Sequence, residues 1–284
     1  IMKTIISILL FACVCVFTNA QASTKAIKVE VTGTGNPVLF IAGFTVPGAI
    51  WQPQVNELKS SYECHVVSIA GFGGLEPVEF PWLPKVNEAI SNYIKVNNLQ
   101  NLTIVGHSLG GTIGIWLASQ QELNVKKLII VDALPATGAL MFPDFKPENL
   151  SYDNPYSDQQ LAMSDANFKQ MATGMSQGMS INPDARQQIV SWILEAHRKT
   201  YVYGYTDYLK LDVRENLKNI TAPVTILAAT QPYGEETIRK TLATQYENLE
   251  NYKLEVATGA AHFIMLDDPK WFNEKLMQEL RAHD

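Results

Sequence analysis

Hydrophobic and polar positions follow two rhythms along the chain: short apolar runs of strand length, and longer stretches with apolar residues at helical spacing. Ile27-Lys28-Val29-Glu30-Val31 alternates, with Lys28 and Glu30 turned outward, and predicts a half-buried strand. Val38-Leu39-Phe40-Ile41-Ala42 is continuously apolar and suits a strand covered on both faces. A helix is expected over Trp51 to Ser60, a strand over His65–Ile69, and a helix from Lys85 to Val96 beyond a loop holding Pro77, Pro81 and Pro84. The run Leu102–Val105 predicts a strand, and Thr112–Ala118 a helix with a broad apolar face. Lys126–Val131 is the next strand and ends at Asp132. The rhythm resumes at Val224–Ala229, followed by a helix from Glu235 to Tyr246 and a strand from Tyr252 to Val256. A loop carrying His262 and a last helix from Pro269 complete it. Strands alternating with helices predict an α/β fold built on a doubly wound, mostly parallel sheet.

About ninety residues between Asp132 and Pro223 lack strong strand signals, far more than an ordinary loop needs. Asn182-Pro183-Asp184 starts a helix over Ala185 to Lys199, with Ile189, Trp192, Ile193 and Ala196 at helical spacing. Shorter helices are expected around Ser157 to Met175 and Asp207 to Asn219. The segment reads as a helical cap inserted after the strand that ends at Asp132. Its methionines (Met163, Met171, Met175, Met179) and tyrosines (Tyr201, Tyr203, Tyr205, Tyr208) either pack it onto the core or line an adaptable apolar pocket.

The first residues break the pattern. Lys3, the apolar run Ile5 to Phe17 and the small residues of Thr18-Asn19-Ala20-Gln21-Ala22 have the order of a secretory signal peptide, with cleavage after Ala20 or Ala22. The run is short for a membrane span. Leu10-Phe11-Ala12-Cys13 faintly resembles a lipoprotein box, which would anchor the chain at Cys13, but Phe11 is bulky for it. The expected organisation is therefore a signal peptide over 1–22, a core over 23–134, the cap over 135–221 and the rest of the core over 222–284. The expected destination is the periplasm or the medium.

Composition narrows the function. With 22 basic and 28 acidic side chains the net charge is −6, and no basic block occurs, which argues against nucleic acid and anionic membrane surfaces as partners. Cys13 and Cys15 fall in the signal segment, leaving Cys64, which precedes a predicted strand as a small buried side chain. Metal-ligand spacing and a phosphate-binding loop are both missing from the pattern, so neither a metal nor a cofactor is expected.

The chemistry gathers at Gly106-His107-Ser108-Leu109-Gly110-Gly111, between a predicted strand and a predicted helix. A serine between two glycines at such a junction is the pattern of a nucleophile elbow. The turn strains the serine backbone and crowds the residues two before and two after it, where glycine removes the clashing Cβ. Ser108 then stands clear of the sheet, with the Leu109 N–H at the helix N-terminus facing a developing oxyanion.

With these motifs the chain resembles the α/β-hydrolase family from about Ile27 onward. Phe40-Ile41-Ala42-Gly43-Phe44 falls where the family has its oxyanion loop, with Ala42 in place of the usual histidine. The resemblance implies the Phe44 N–H as the second oxyanion donor. Ala70-Gly71-Phe72-Gly73-Gly74 is similar to the family's Pro-Gly-x-Gly-x-Ser segment, and Gly259-Ala260-Ala261-His262-Phe263 with Asp268-Pro269 to its ending. Among five histidines, His262 follows the last predicted strand in a Gly/Ala loop and is the expected general base toward Ser108. His107 reads as packing, His65 begins a strand, His197 lies on a cap helix where it could touch substrate, and His283 sits at the frayed end. The family's usual acid position after Val224–Ala229 holds Thr230-Gln231-Pro232, with no carboxylate. Some relatives place the acid after the strand that follows the elbow helix, which implies Asp132. Glu235 and Glu236 are the reserve candidates.

A hydroxyl nucleophile, an imidazole base and backbone oxyanion donors specify acyl transfer. The expected function is an exported serine hydrolase acting on a small carboxylic ester. Lactones, thioesters, carbon–carbon bonds and perhydrolysis use the same groups and stay open. The alternative of another class is a ligand-binding protein on a hydrolase scaffold.

Overall fold

The computed structural model describes residues 25–141, 146 and 149–282; the signal-peptide reading and His283 lie outside them. Seven strands form one sheet: β1 (Ile27–Gly33), β2 (Asn36–Ile41), β3 (Tyr62–Ile69), β4 (Thr103–His107), β5 (Lys127–Val131), β6 (Val224–Ala229) and β7 (Lys253–Ala257). Their order is β1-β3-β2-β4-β5-β6-β7; β1 runs antiparallel to β3 and every other pair is parallel. This is the mostly parallel α/β architecture the apolar runs predict. β2, β4, β5 and β6 are buried at nearly every position because helices cover both faces of the sheet.

Helices α1 (Gln52–Leu58), α2 (Trp82–Val96) and α3 (Leu109–Ala118) connect the first five strands. Odd and even positions along β2 fall into separate apolar clusters, Leu39 and Ile41 on one face and Val38 and Phe40 on the other. α3 is buried on almost every side, which accounts for its lack of a polar stripe. Cys64 sits inside β3, fully buried, and not ahead of it.

Between β5 and β6 the described residues form α4 (Thr137–Met141), α5 (Pro155–Ala162), α6 (Asp165–Met179), α7 (Pro183–Glu195) and α8 (Arg198–Lys210). The boundaries differ from the sequence pattern for local reasons. Ser164 accepts a hydrogen bond from the Asn167 N–H and starts α6 inside the stretch expected to be helical around Ser157 to Met175. His197 caps α8 in the same way through the Thr200 N–H, so the expected helix over Ala185 to Lys199 stops at Glu195. After β6 come α9 (Glu235–Gln245), then β7, α10 (Ile264–Asp267) and α11 (Pro269–Arg281).

α2 has no capping side chain of its own, because the residue before it is Pro81. Its first two N–H groups, of Trp82 and Leu83, donate instead to Asp207 Oδ2 at 2.7 and 3.0 Å, while Asp207 Oδ1 accepts from Tyr152 Oη at 2.6 Å. Asp207 belongs to α8, so the inserted helices supply the cap of a core helix. Asp207→Ala leaves two buried N–H groups without an acceptor and is expected to cost about 2–4 kcal/mol in urea unfolding, with Asp207→Asn losing less. Equal stability of the alanine variant and wild type would show that α2 does not depend on this carboxylate.

Candidate active site

Ser108 joins β4 to α3 with φ 54° and ψ −124°, a left-handed conformation that a non-glycine residue adopts only under constraint. The constraint is crowding. A Cβ on Gly106 would lie 2.2 Å from the Gly110 carbonyl oxygen, and one on Gly110 would lie 2.2 Å from the carbonyl oxygen of Ile41. Both glycines therefore let strand, turn and helix touch. Leu109 opens α3, where first-turn N–H groups have no acceptor within the helix. Gly43 and Phe44 leave β2 beside the elbow, close enough that a Cβ on Gly43 would stand 3.1 Å from Ser108 Cβ.

The structure brings Asp132 and His262 together. Asp132 follows β5 with φ 45°, and its Oδ2 accepts from His262 Nδ1 at 2.6 Å. Its Oδ1 accepts from the Ala229 N–H at 2.9 Å, so the end of β6 contributes a donor to Asp132. Burial pushes the Asp132 carboxyl up, but the His262 bond and the Ala229 N–H outweigh it and hold the group below the usual carboxylate range. The reserve candidates stand elsewhere: Glu235 and Glu236 are exposed on α9, with Glu235 bonded to Arg239 at 2.8 Å.

His107 is fully buried beside the nucleophile. Its Nε2 lies 3.0 Å from the His262 carbonyl oxygen, which only accepts, so Nε2 carries the hydrogen and Nδ1 is the bare nitrogen. Nδ1 has no hydrogen-bond partner among the described residues. Burial, aided by neighbouring His262, pulls His107 down to about 3. The residue read as packing thus also ties the His262 loop to the elbow. His197 contacts Thr200 and the backbone of Gly71, and His65 pairs with Glu63 and Tyr93.

Ser108, His262, Asp132 and Phe44 line one cavity of about 760 Å³. It straddles the two apolar clusters: Val46, Ile189, Ile193 and Phe263 come from one, Ile226 and Leu242 from the other. The Phe44 ring is held by Phe72, Trp82, Tyr201, Tyr205 and Tyr208, with centroids 5.0 to 6.5 Å away. Three of those five rings come from α8. No cluster of three or more His, Cys, Asp or Glu suited to a metal occurs among the described residues.

The Alpha/beta hydrolase family model matches residues 38–275. The chain belongs to the α/β hydrolase family. Within it, the pimeloyl-[acyl-carrier protein] methyl ester esterase of Vibrio cholerae is 24% identical over 209 residues, 71% of this hydrolase and 78% of that protein. The 3-oxoadipate enol-lactonase 1 of Acinetobacter baylyi is 20% identical over 214 residues, covering 75% and 77%. Among solved structures, an esterase from Exiguobacterium antarcticum superposes with a TM-score of 0.75 at 20% identity, over 91% of this hydrolase and 98% of that chain.

The neutral burial of His107 makes the fold of this hydrolase sensitive to acid. An unfolded histidine takes up a proton below about pH 6.5, whereas folded His107 does so only near pH 3, so its contribution to stability is present above pH 6.5 and is lost as the pH falls. His107→Asn keeps a side-chain N–H but has no titrating group. Its thermal midpoint should fall less steeply than that of wild type between pH 7 and 4; parallel slopes would refute the assignment.

Proposed function

We propose that this hydrolase cleaves carboxylic esters through an acyl-enzyme on Ser108. His262 serves as general base and then general acid, Asp132 orients it, and the Phe44 and Leu109 N–H groups receive the oxyanion. One observation carries the reading: the 2.6 Å bond from His262 Nδ1 to Asp132 lies in the same cavity as a serine on a strained elbow. That bond fixes the tautomer with a bare Nε2, the form that accepts a proton from a hydroxyl. The apolar walls on both sides of the site favour a small ester with hydrocarbon groups in its acyl or alcohol part, and relatives bearing the names methyl ester esterase and enol-lactonase point the same way.

Hydrolysis of p-nitrophenyl esters of graded acyl length tests this. Wild type should turn over the series with a chain-length optimum, and Ser108→Ala and Asp132→Asn should each lose on the order of 10⁴-fold in kcat. Wild type should also be labelled covalently by a fluorophosphonate. A wild-type protein that neither turns over nor labels would overturn the reading in favour of a ligand-binding protein on a hydrolase scaffold.

The sequence reading of residues 1–22 supports a place of action outside the cytoplasm. N-terminal sequencing of the mature protein checks it: Gln21 or Ser23 as first residue is expected, and an intact N-terminus on exported-fraction protein counts against cleavage there.

A further inference from the structure

Three consecutive residues, Ala261, His262 and Phe263, have their backbone tied to other parts of the fold. The Ala261 N–H donates to Asp267 Oδ2 at 2.8 Å, and the His262 carbonyl accepts from His107 Nε2 at 3.0 Å. The Phe263 N–H donates to the Met179 carbonyl at 3.0 Å. The middle bond reaches the elbow. The outer two reach the turn between α6 and α7, because Asp267 is itself bonded there. Its Oδ1 accepts from Ser180 Oγ, and the Ile181 N–H is shared between both carboxylate oxygens at 3.2 Å.

The loop after β7 supplies little order of its own. Gly259 has φ 87°, a Cβ on it would meet nothing within 4 Å, and Ala260 and Ala261 have no side chain beyond Cβ. Upstream, the Ala260 carbonyl accepts from the Thr230 and Gln231 N–H groups at 3.1 and 2.9 Å, which fixes that end to the loop after β6. Next to the imidazole the hold comes from Asp267. Ser180 is fully buried and Asp267 half-buried, so water competes little for their bonds. Bonds to a carboxylate are about twice as strong as neutral ones, and this carboxylate accepts from two elements at once. The same helices α6 and α7 give the cavity wall Met175, Met179, Ile189 and Ile193.

We propose that Asp267 is a positioning residue for His262, holding the backbone ahead of the base on the α6–α7 turn while Asp132 holds the ring. The inference rests on the acyl-enzyme reading above. Asp267 lies outside the cavity wall and acts through the loop alone. The bond to Asp132 fixes one ring nitrogen but leaves a swing about that contact, and anchoring the backbone on either side of His262 removes it. The Ser108 proton reaches Nε2 only across hydrogen-bond distance, and a displacement of about 1 Å costs on the order of 10²-fold in rate. The α6–α7 turn therefore belongs to the frame of the base, and cannot lift from the core without taking His262 with it.

The test is Asp267→Ala, with sites counted by fluorophosphonate labelling so that kcat refers to folded protein. We expect kcat on p-nitrophenyl esters to fall on the order of 10²-fold with KM unchanged. The far-downfield proton resonance of the His262 Nδ1–H, identified by its absence from Asp132→Asn, should broaden or vanish as well. Asp267→Asn keeps an oxygen for the Ala261 N–H and can turn its amide toward Ser180 Oγ, so it should recover most of the rate and the resonance. Thr225→Val is the control for stability. It removes the 2.7 Å bond to Glu279 near the opposite end of β6, and should lower the thermal midpoint with kcat and resonance intact. An Asp267→Ala protein within twofold of wild-type kcat, or with the resonance unchanged, overturns the proposal whatever its thermal midpoint. So does a loss carried by KM. If Asp267→Ala does not fold, Ser180→Ala decides: losing one donor to the carboxylate should cost about fivefold in kcat, and the wild-type rate overturns the proposal. Labelling of wild type is measured first: without it the acyl-enzyme reading fails, whereas labelled wild type with an equally active Asp267→Ala defeats the positioning role alone.

Discussion

The rest of the site is measured from the crowding at the elbow. Ser108 holds a left-handed backbone that costs on the order of 1–3 kcal/mol for a residue with a side chain, and the surroundings must hold it there. They do so by contact: β4 meets α3 through Gly106 and Gly110, and α3 meets the end of β2 through Gly110 and Ile41. Because β2, β4 and β5 are neighbouring parallel strands, their carboxyl ends lie side by side. The residues leaving those ends are Phe44, Ser108 and Asp132. The sheet register thus sets the spacing of three groups that are far apart in sequence, and rigid packing preserves it.

The inserted helices form part of this arrangement. Ala42 stands where the family usually has a histidine in the oxyanion loop, so that loop lacks one polar anchor. In its place the Phe44 ring sits among five aromatic rings, three of them from α8. Aromatic contacts of this kind are worth about 0.5–1.5 kcal/mol each beyond their buried area, enough together to fix a short loop. The backbone that carries the Phe44 N–H is therefore positioned by a helix about 160 residues later in the chain.

Much of this was legible in the amino-acid order. The central strands were visible because a parallel sheet buried on both faces needs uninterrupted apolar runs, as in Val38–Ile41 and Val224–Ala229. Ser108 and His262 stood out because glycine spacing and chain order are strong signals. Asp132 emerged from what was missing after β6, and the structure adds that Ala229, at that place, donates its N–H to it. Other features left no mark. Tyr208 is one of four tyrosines in a stretch of eight residues, and composition does not say which of them is buried. The division of the inserted helices hid in Ser164 and His197, since a side chain that caps a helix looks like any polar residue until the backbone turns around it. His107 was read as packing because its bond to the His262 carbonyl is purely tertiary.

Asp207 gives the molecule a dependence that runs against the order of synthesis. The N-terminus of α2 is complete only when a carboxylate 125 positions further along has docked on it. The inserted helices are consequently not an interchangeable module. A segment grafted from another hydrolase would need to return a carboxylate to that spot, or the core would receive it with two bare N–H groups. Without α8 the first turn of α2 would have no acceptor for its Trp82 and Leu83 N–H groups. Loss of the inserted segment would thus weaken the sheet layer beneath it as well as opening the cavity above it.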